Sequence, residues 1–241
     1  MRVLALDTTT RAGSVAMVDD DRVVDERGGD AARSHAERLP AEILALLDAH
    51  ALTLADVDLL AVASGPGSFT GLRIGIATIQ GLALVGGTRI VGVPALEALG
   101  HLASRDAQPG DSVAAWMDAH RRDVFASLFR VTSSPLFQAE RVMEMEAATV
   151  GDPSSTIARW RRQIGEDRVD VMGDGAVLFA DVIAREAPAW RVAPPPLLAG
   201  AIGRIALARA RRGETVDAAG LRPLYVRRPD AEMARDRRVA D

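Results

Sequence analysis

Hydrophobic positions along the chain alternate between two rhythms. RVLALD (2–7) is continuously apolar up to its final Asp and reads as a buried strand. GSVAMVD (13–19) and RVVDER (22–27) alternate, and DDD (19–21) joins them as antiparallel partners. In SHAERLPAEILALLDAHAL, Leu39, Ile43, Leu46 and Leu47 recur at helical spacing. Ser34 and Glu37 stand at capping-box spacing, so the helix is predicted to start at Ser34 with Pro40 kinking it; a start nearer Leu39 is the alternative. DLLAVA (58–63) is a buried strand, a helix follows from about Thr70 to Val85, and RIVGV (89–93) is a further strand. PALEALGHLA is a helix with Pro94 as its first residue. The order is β-β-β-α-β-α-β-α.

A looser version follows. Segments 112–119, 123–131 and 137–142 are predicted strands. A helix over 154–163, a strand over 168–173, a helix over 176–186, a strand over 191–194 and a closing helix led into by PPPLLAGAIGRIALARARR complete it. SRDAQPGD (104–111) has linker composition. The reading is an α/β chain of two related halves, 1–104 and 105–225, with a charged tail over 226–241.

The stretch SGPGSFTGLRIGIATIQGLA (64–83) concentrates the candidate chemistry. Gly65 and Gly67 permit a tight turn, and Ser68 or Thr70 can cap the next helix, whose free N–H groups favour an anion. The pattern nevertheless matches neither phosphate-binding glycine motif. Gly71 and Gly75 lie four apart on one helical face that Thr78 and Leu82 continue, while Leu72, Ile74, Ile76 and Ile79 surround the axis. Each helical Gly costs roughly 1 kcal/mol relative to Ala. Close approach of another helix offsets that cost, so an interface is preferred here to a phosphate site. DTTT (7–10) ends the first strand. Its Asp7, Thr8 and Thr9 can surround a metal–phosphate group, or simply form a hydroxyl-rich turn. Asp118 with His120, and Asp174 in MGDGA, are further candidates set against ordinary turn chemistry.

Composition narrows the choices. The chain has 241 residues and a formal net charge of −4, which argues against a broad nucleic-acid footprint. Every basic side chain other than His is Arg, so no Lys-centred phosphate loop or Schiff base is available. Cysteine is absent, excluding disulfides and thiolate chemistry. No His pair has metal-binding spacing: four positions after His35 stands Leu39. No nucleophile elbow occurs. Neither a secretory signal nor an uninterrupted 18-residue apolar run appears, so a soluble cytoplasmic protein without a membrane span is expected.

The segments LALDTTTRAGSVAMV, SHAERLPAEILALL, SGPGSFTGLRIGIATIQGLA, MDAHRRDVFASLF and LRPLYVR together resemble the TsaB (YeaZ) family, and GPGSFTGLRIG is the most specific of them. The resemblance covers nearly the whole chain. It implies an actin-like, Hsp70-like (ASKHA) fold of two ribonuclease-H-like βββαβαβα halves, the second reduced. It further implies a non-catalytic subunit, without cofactor, that binds and activates the transferase TsaD in forming N6-threonylcarbamoyladenosine (t6A) in tRNA. It implies TsaE as a further partner, a homodimer when the chain is alone, and tRNA met only through the complex. A metal site in the catalytic relative needs a His-x-x-x-His pair, which Leu39 breaks here. The implied partner surface comprises Leu39, Ile43, Leu46, Leu47, Gly71, Leu72, Ile74, Gly75, Thr78, Ile79 and Leu82. Asp7, Thr8, Thr9, Gly65, Gly67, Ser68 and Asp118 are implied to form a degenerate nucleotide site. The alternatives are an actin-like ATPase or small-molecule kinase using Asp7, Thr8 and Asp118, and a zinc peptidase, for which the residues give no support.

Overall fold

The computed structural model describes residues 1–227; the charged tail expected over 226–241 lies, from 228 onward, outside the described residues. Strands β1 (Arg2–Asp7), β2 (Ser14–Asp19) and β3 (Arg22–Gly28) form an antiparallel meander. Helix α1 (His35–Ala49) leads to β4 (Leu59–Gly65), which pairs parallel with β1. Helix α2 (Phe69–Gly86) leads to β5 (Arg89–Pro94), parallel to β4, and α3 (Ala95–Ala103) follows. The first sheet has the order β3-β2-β1-β4-β5.

The second half repeats the plan with β6 (Ser112–Asp118), β7 (Val124–Val131), β8 (Val142–Gly151), α4 (Pro153–Ile164), β9 (Val169–Met172), α5 (Asp174–Leu178), α6 (Ala180–Glu186), β10 (Arg191–Ala193) and α7 (Ala199–Arg211). Its sheet has the order β10-β9-β6-β7-β8, the mirror of the first list about β1 and β6. Two such βββαβαβα halves, the second with its middle helix broken in two, constitute the actin-like ASKHA architecture.

Burial follows a layered plan. Leu39, Ile43, Leu46 and Leu47 of α1 and Leu72, Ile76 and Ile79 of α2 cover one face of the first sheet, meeting Leu4, Leu6 and Leu60. The opposite face, bearing Ala5, Val18 and Val93, shares one core with Val113, Met117 and Phe129 of the second sheet. Helices α3 and α7 fill that shared core: α7 packs on β1 and β2 of the first sheet, and α3 on β6 of the second. Each half thus sends its last helix to the other half's sheet. The outer face of the second sheet holds Trp116, Trp160 and Trp190, with ring centroids 6.1 Å apart in each successive pair. Trp160 donates its indole N–H to Glu146 Oε1 at 2.8 Å.

Three element boundaries differ from the sequence reading. The third strand of the second half is 142–151 rather than 137–142. Phe137 adopts φ +68°, and a single 3₁₀ turn over Ala139–Arg141 takes up the segment expected to be extended. The helix expected over 176–186 breaks at Phe179 into α5 and α6. Pro94 ends β5 and caps α3 instead of opening it. Helix α1, by contrast, runs through Pro40. Glu37 accepts hydrogen bonds from Ser34 N and Oγ at 2.8 and 2.7 Å, anchoring the first turn, and the carbonyl that Pro40 cannot serve belongs to solvent-exposed Ala36.

Leu46 is 0% exposed and Leu44 is 57% exposed on the same helix. Leu46→Asp places an unpaired charge in the core and is expected to cost about 3–5 kcal/mol, whereas Leu44→Asp stays within about 0.5 kcal/mol. Urea unfolding of the two variants checks the assignment of faces.

Candidate functional site

The turn after β1 and the start of α2 are built as one unit. Asp7, 3% exposed, accepts hydrogen bonds at Oδ1 from Thr9 N (2.9 Å) and Thr9 Oγ1 (2.6 Å). The Thr9 carbonyl accepts from Ser68 N at 2.8 Å, and Ser68 Oγ caps α2 by accepting from Gly71 N at 3.3 Å. Gly67, at φ +156°, has no room for a side chain: a Cβ there stands 2.5 Å from Thr9 Cβ. Burial pushes the Asp7 carboxyl above its usual range against the opposing pull of the two Thr9 hydrogen bonds.

The glycine stripe of α2 meets this turn. A Cβ on Gly71 stands 2.2 Å from the Thr8 carbonyl oxygen, and one on Gly75 stands 2.2 Å from Thr8 Oγ1. The bareness of α2 therefore serves an approach to the β1–β2 turn and to the His35 ring, not to a second subunit. This corrects the reading of Gly71 and Gly75 as partner-facing. Leu39, Ile43, Leu46, Leu47, Leu72 and Ile79 are each at most 3% exposed, so they too lie beneath the helices and not on their outer face. Ile74, Thr78 and Leu82 are half-buried and reach the surface.

His35 commits both ring nitrogens within the chain: Nε2 donates to the Thr10 carbonyl at 2.9 Å, and Nδ1 accepts from Arg38 Nη2 at 2.9 Å. Burial lowers its pKa, favouring the neutral ring that this pattern needs. Arg38, 2% exposed, pairs with Glu42 and also donates to the Ala12 carbonyl, clamping the turn from below. With Leu39 in the core, these residues do not fit a metal ion. No cluster of three or more metal-ligating side chains occurs among the described residues.

Across from this unit, Asp118 and His120 stand at the end of β6 and Asp174 at the start of α5. Asp174 Oδ1 accepts from Asp118 N (3.1 Å) and Gly175 N (2.9 Å), and burial raises its pKa. His120 Nδ1 lies 3.2 Å from Asp118 Oδ2. A cavity of about 670 Å³ separates the two units, with Thr9, Ser68 and Asp118 on its walls beside His35, His120 and Asp174. Of the expected nucleotide-site residues, Asp7 and Thr8 sit behind the wall, and Gly65 and Gly67 shape the neighbouring turn. Asp174 was visible in the sequence as a Gly-flanked Asp after a strand, but nothing there tied it to Asp118. The wall offers carboxylates, hydroxyls, the side chains of Arg11 and Arg33 and the N-termini of α1 and α2; no lysine stands among them.

A second feature lies on the outer side of α1 and α2. Ala36, Pro40, Ala41, Leu44 and Ala45 of α1 are exposed, as are Ala77, Gly81, Leu84 and Val85 of α2. Leu84 and Val85 are 76% and 86% exposed. From 74 to 88 the chain carries no charged residue. Helix α2 is apolar and long enough, by composition, to cross a membrane, yet it lies against β4 with one side in the core.

Thr8 Oγ1 is fully buried without a partner. Gly75→Ala is therefore expected to cost about 1–3 kcal/mol through overpacking. Thr8→Ala alone changes stability by less than about 1 kcal/mol, and the double variant recovers most of the loss; urea unfolding of all three closes the cycle. Asp7→Asn keeps an acceptor for both Thr9 donors. Because the folded-state pKa of Asp7 is raised, its stabilising contribution is present at low pH and lost as pH rises through that pKa. Asp7→Asn is thus expected to stabilise the chain at neutral pH, by an amount that shrinks toward zero on acidification, as thermal unfolding across pH will show.

The model of the family described as "TsaD: tRNA N6-adenosine threonylcarbamoyltransferase" matches residues 20–158. A Mycobacterium tuberculosis protein is 42% identical over 125 residues, 51% of this chain and 56% of that protein, so the chain spans little more than half the length of these mycobacterial relatives. The Escherichia coli tRNA threonylcarbamoyladenosine biosynthesis protein TsaB is 32% identical over 166 residues, 69% of each chain. The solved structure of YeaZ from Pseudomonas aeruginosa superposes with a TM-score of 0.75 at 29% identity, covering 93% of this chain and 99% of that one. The fold, the glycine-shaped turn and these likenesses converge: the chain belongs to the TsaB (YeaZ) family, within the wider group that the TsaD model describes.

Proposed function

We propose that this chain is a non-catalytic subunit of t6A synthesis in tRNA, acting in the cytoplasm by docking a TsaD-type transferase. The observation that carries the reading is the exposed apolar strip on the outer side of α1 and α2, with Leu44, Leu84 and Val85 in water and no charge on α2 beyond Arg73, although Glu37 and Asp48 flank it on α1. A lone soluble chain gains nothing from such a face, and a partner helix pair gains a desolvated contact. Homodimerisation through the same face in the absence of TsaD is part of this reading, as are recruitment of TsaE by the assembly and contact with tRNA only through it. A supporting role is favoured over catalysis because His35 is tied to Thr10 and Arg38, Asp7 is turned inward onto Thr9, and Leu39 lies in the core.

On this reading the decisive substitutions lie on the outer side of the two helices. Leu44→Asp and Leu84→Asp are expected to leave folding intact and to weaken co-elution with a TsaD homologue by at least about tenfold. Reconstituted tRNA modification is expected to fall in parallel. Persistence of a stable complex in the double variant, with the fold intact by circular dichroism, rejects this face as the docking surface.

A further inference from the structure

The chain returns to the first half after α7 and then crosses to the second. Val216 pairs with Ile90, Gln80 donates to the Ala218 carbonyl at 2.7 Å, and Leu221 is buried with the α1–α2 core. Leu224 N donates to the Ser64 carbonyl at 2.7 Å. Its own carbonyl lies so close to Gly65, which has φ +114°, that a Cβ there stands 2.6 Å from it. The Tyr225 ring lies 5.5 Å from that of Phe69, and its hydroxyl accepts from Arg73 Nε at 3.1 Å. Residues up to 225 are thereby fixed to β4 and to the start of α2.

The next contact belongs to the other half. Arg227 Nη1 donates to the Ala119 carbonyl at 2.7 Å, and Nη2 donates to Asp123 Oδ2. These two groups are the ends of the β6–β7 turn, closed by Ala119 N to Asp123 O (3.1 Å) and Asp123 N to His120 O (3.0 Å). Between them His120, Arg121 and Arg122 take φ values of +57°, +55° and +68° in succession. Side-chain-bearing residues seldom adopt the left-handed region, and a run of three persists only where surrounding contacts enforce it. The turn borders the 670 Å³ cavity through Asp118 and His120. On its other side it borders a cavity of about 340 Å³ walled by Phe69, Tyr225 and Arg227.

We infer that residues 221–227 form a latch. The first half holds its stem, and the Arg227 fork holds the β6–β7 turn in its left-handed conformation, fixing the opening between the halves. This inference stands independently of the docking surface on α1 and α2. When the fork is released, the turn relaxes and the cavity mouth widens while both sheets stay intact.

Hydrogen–deuterium exchange on the full chain tests it. In Arg227→Ala, amides of residues 119–125 are expected to exchange about tenfold faster than in the parent, with those of β1 and β4 unchanged. Arg227→Lys keeps the charge but cannot span both acceptors, and is expected to fall between. Adding Asp123→Ala to Arg227→Ala is expected to change nothing further, since Asp123 is assigned to act only through the fork. Unaltered exchange at the turn in Arg227→Ala, equal acceleration in β1 and β4, or additive effects in the double variant each overturn the latch.

Discussion

The architecture of the first half depends on one close approach, that of the α2 backbone to the turn after β1. Only residues without a Cβ at 71 and 75 let the helix settle against Thr8, and that seating aligns Ser68 N with the Thr9 carbonyl. From it follow the position of the helix N-terminus on the cavity wall and the inward face of α2. The outer face is then fixed as the remainder. Arg38 and His35 support the same turn from α1, so the groups a metal site would require are consumed as struts. The corner that its sequence suggests for phosphate chemistry is thus a packing joint in this chain.

A second constraint joins the halves. Because α3 lies on the second sheet and α7 on the first, neither sheet can bury its inner face without a helix supplied across the chain midpoint. The midpoint near residues 104 and 105 is a boundary in chain order, and packing does not respect it. An arrangement of this kind keeps the cleft walls in fixed relation while leaving the outer helices free to meet another molecule.

Much of this was legible in the sequence, and the failures have physical causes. Every strand and helix of the first half is present because its apolar period was uniform, and the Ser34–Glu37 spacing correctly located the start of α1 in spite of Pro40. The same periodicity misled the choice of surface residues. Leu39, Ile43, Leu46 and Leu47 mark the most apolar face of α1, and that face belongs to its own sheet; Leu44, a single leucine off the pattern, is the one in water. Period alone does not separate a core face from a partner face when both are apolar. Around the cavity, Asp7, Ser68 and Asp118 stood out as turn residues. The link between Asp118 and Asp174, 56 positions apart, depends on the parallel pairing of β6 with β9, which no local pattern encodes. The path of 221–227 was hidden for the same reason: LRPLYVR carries no period, and its partners are scattered from Ser64 to Asp123.

The placement of the aromatic residues has a practical consequence. All three tryptophans of the chain belong to one cluster on the outer side of the second sheet, and its single tyrosine, Tyr225, lies on the crossing segment. Indole emission therefore monitors that outer layer alone and is blind to the α1–α2 side. Any spectroscopic melting curve taken by fluorescence follows one flank of the molecule, and only its coincidence with a backbone signal tells whether the flanks lose order together.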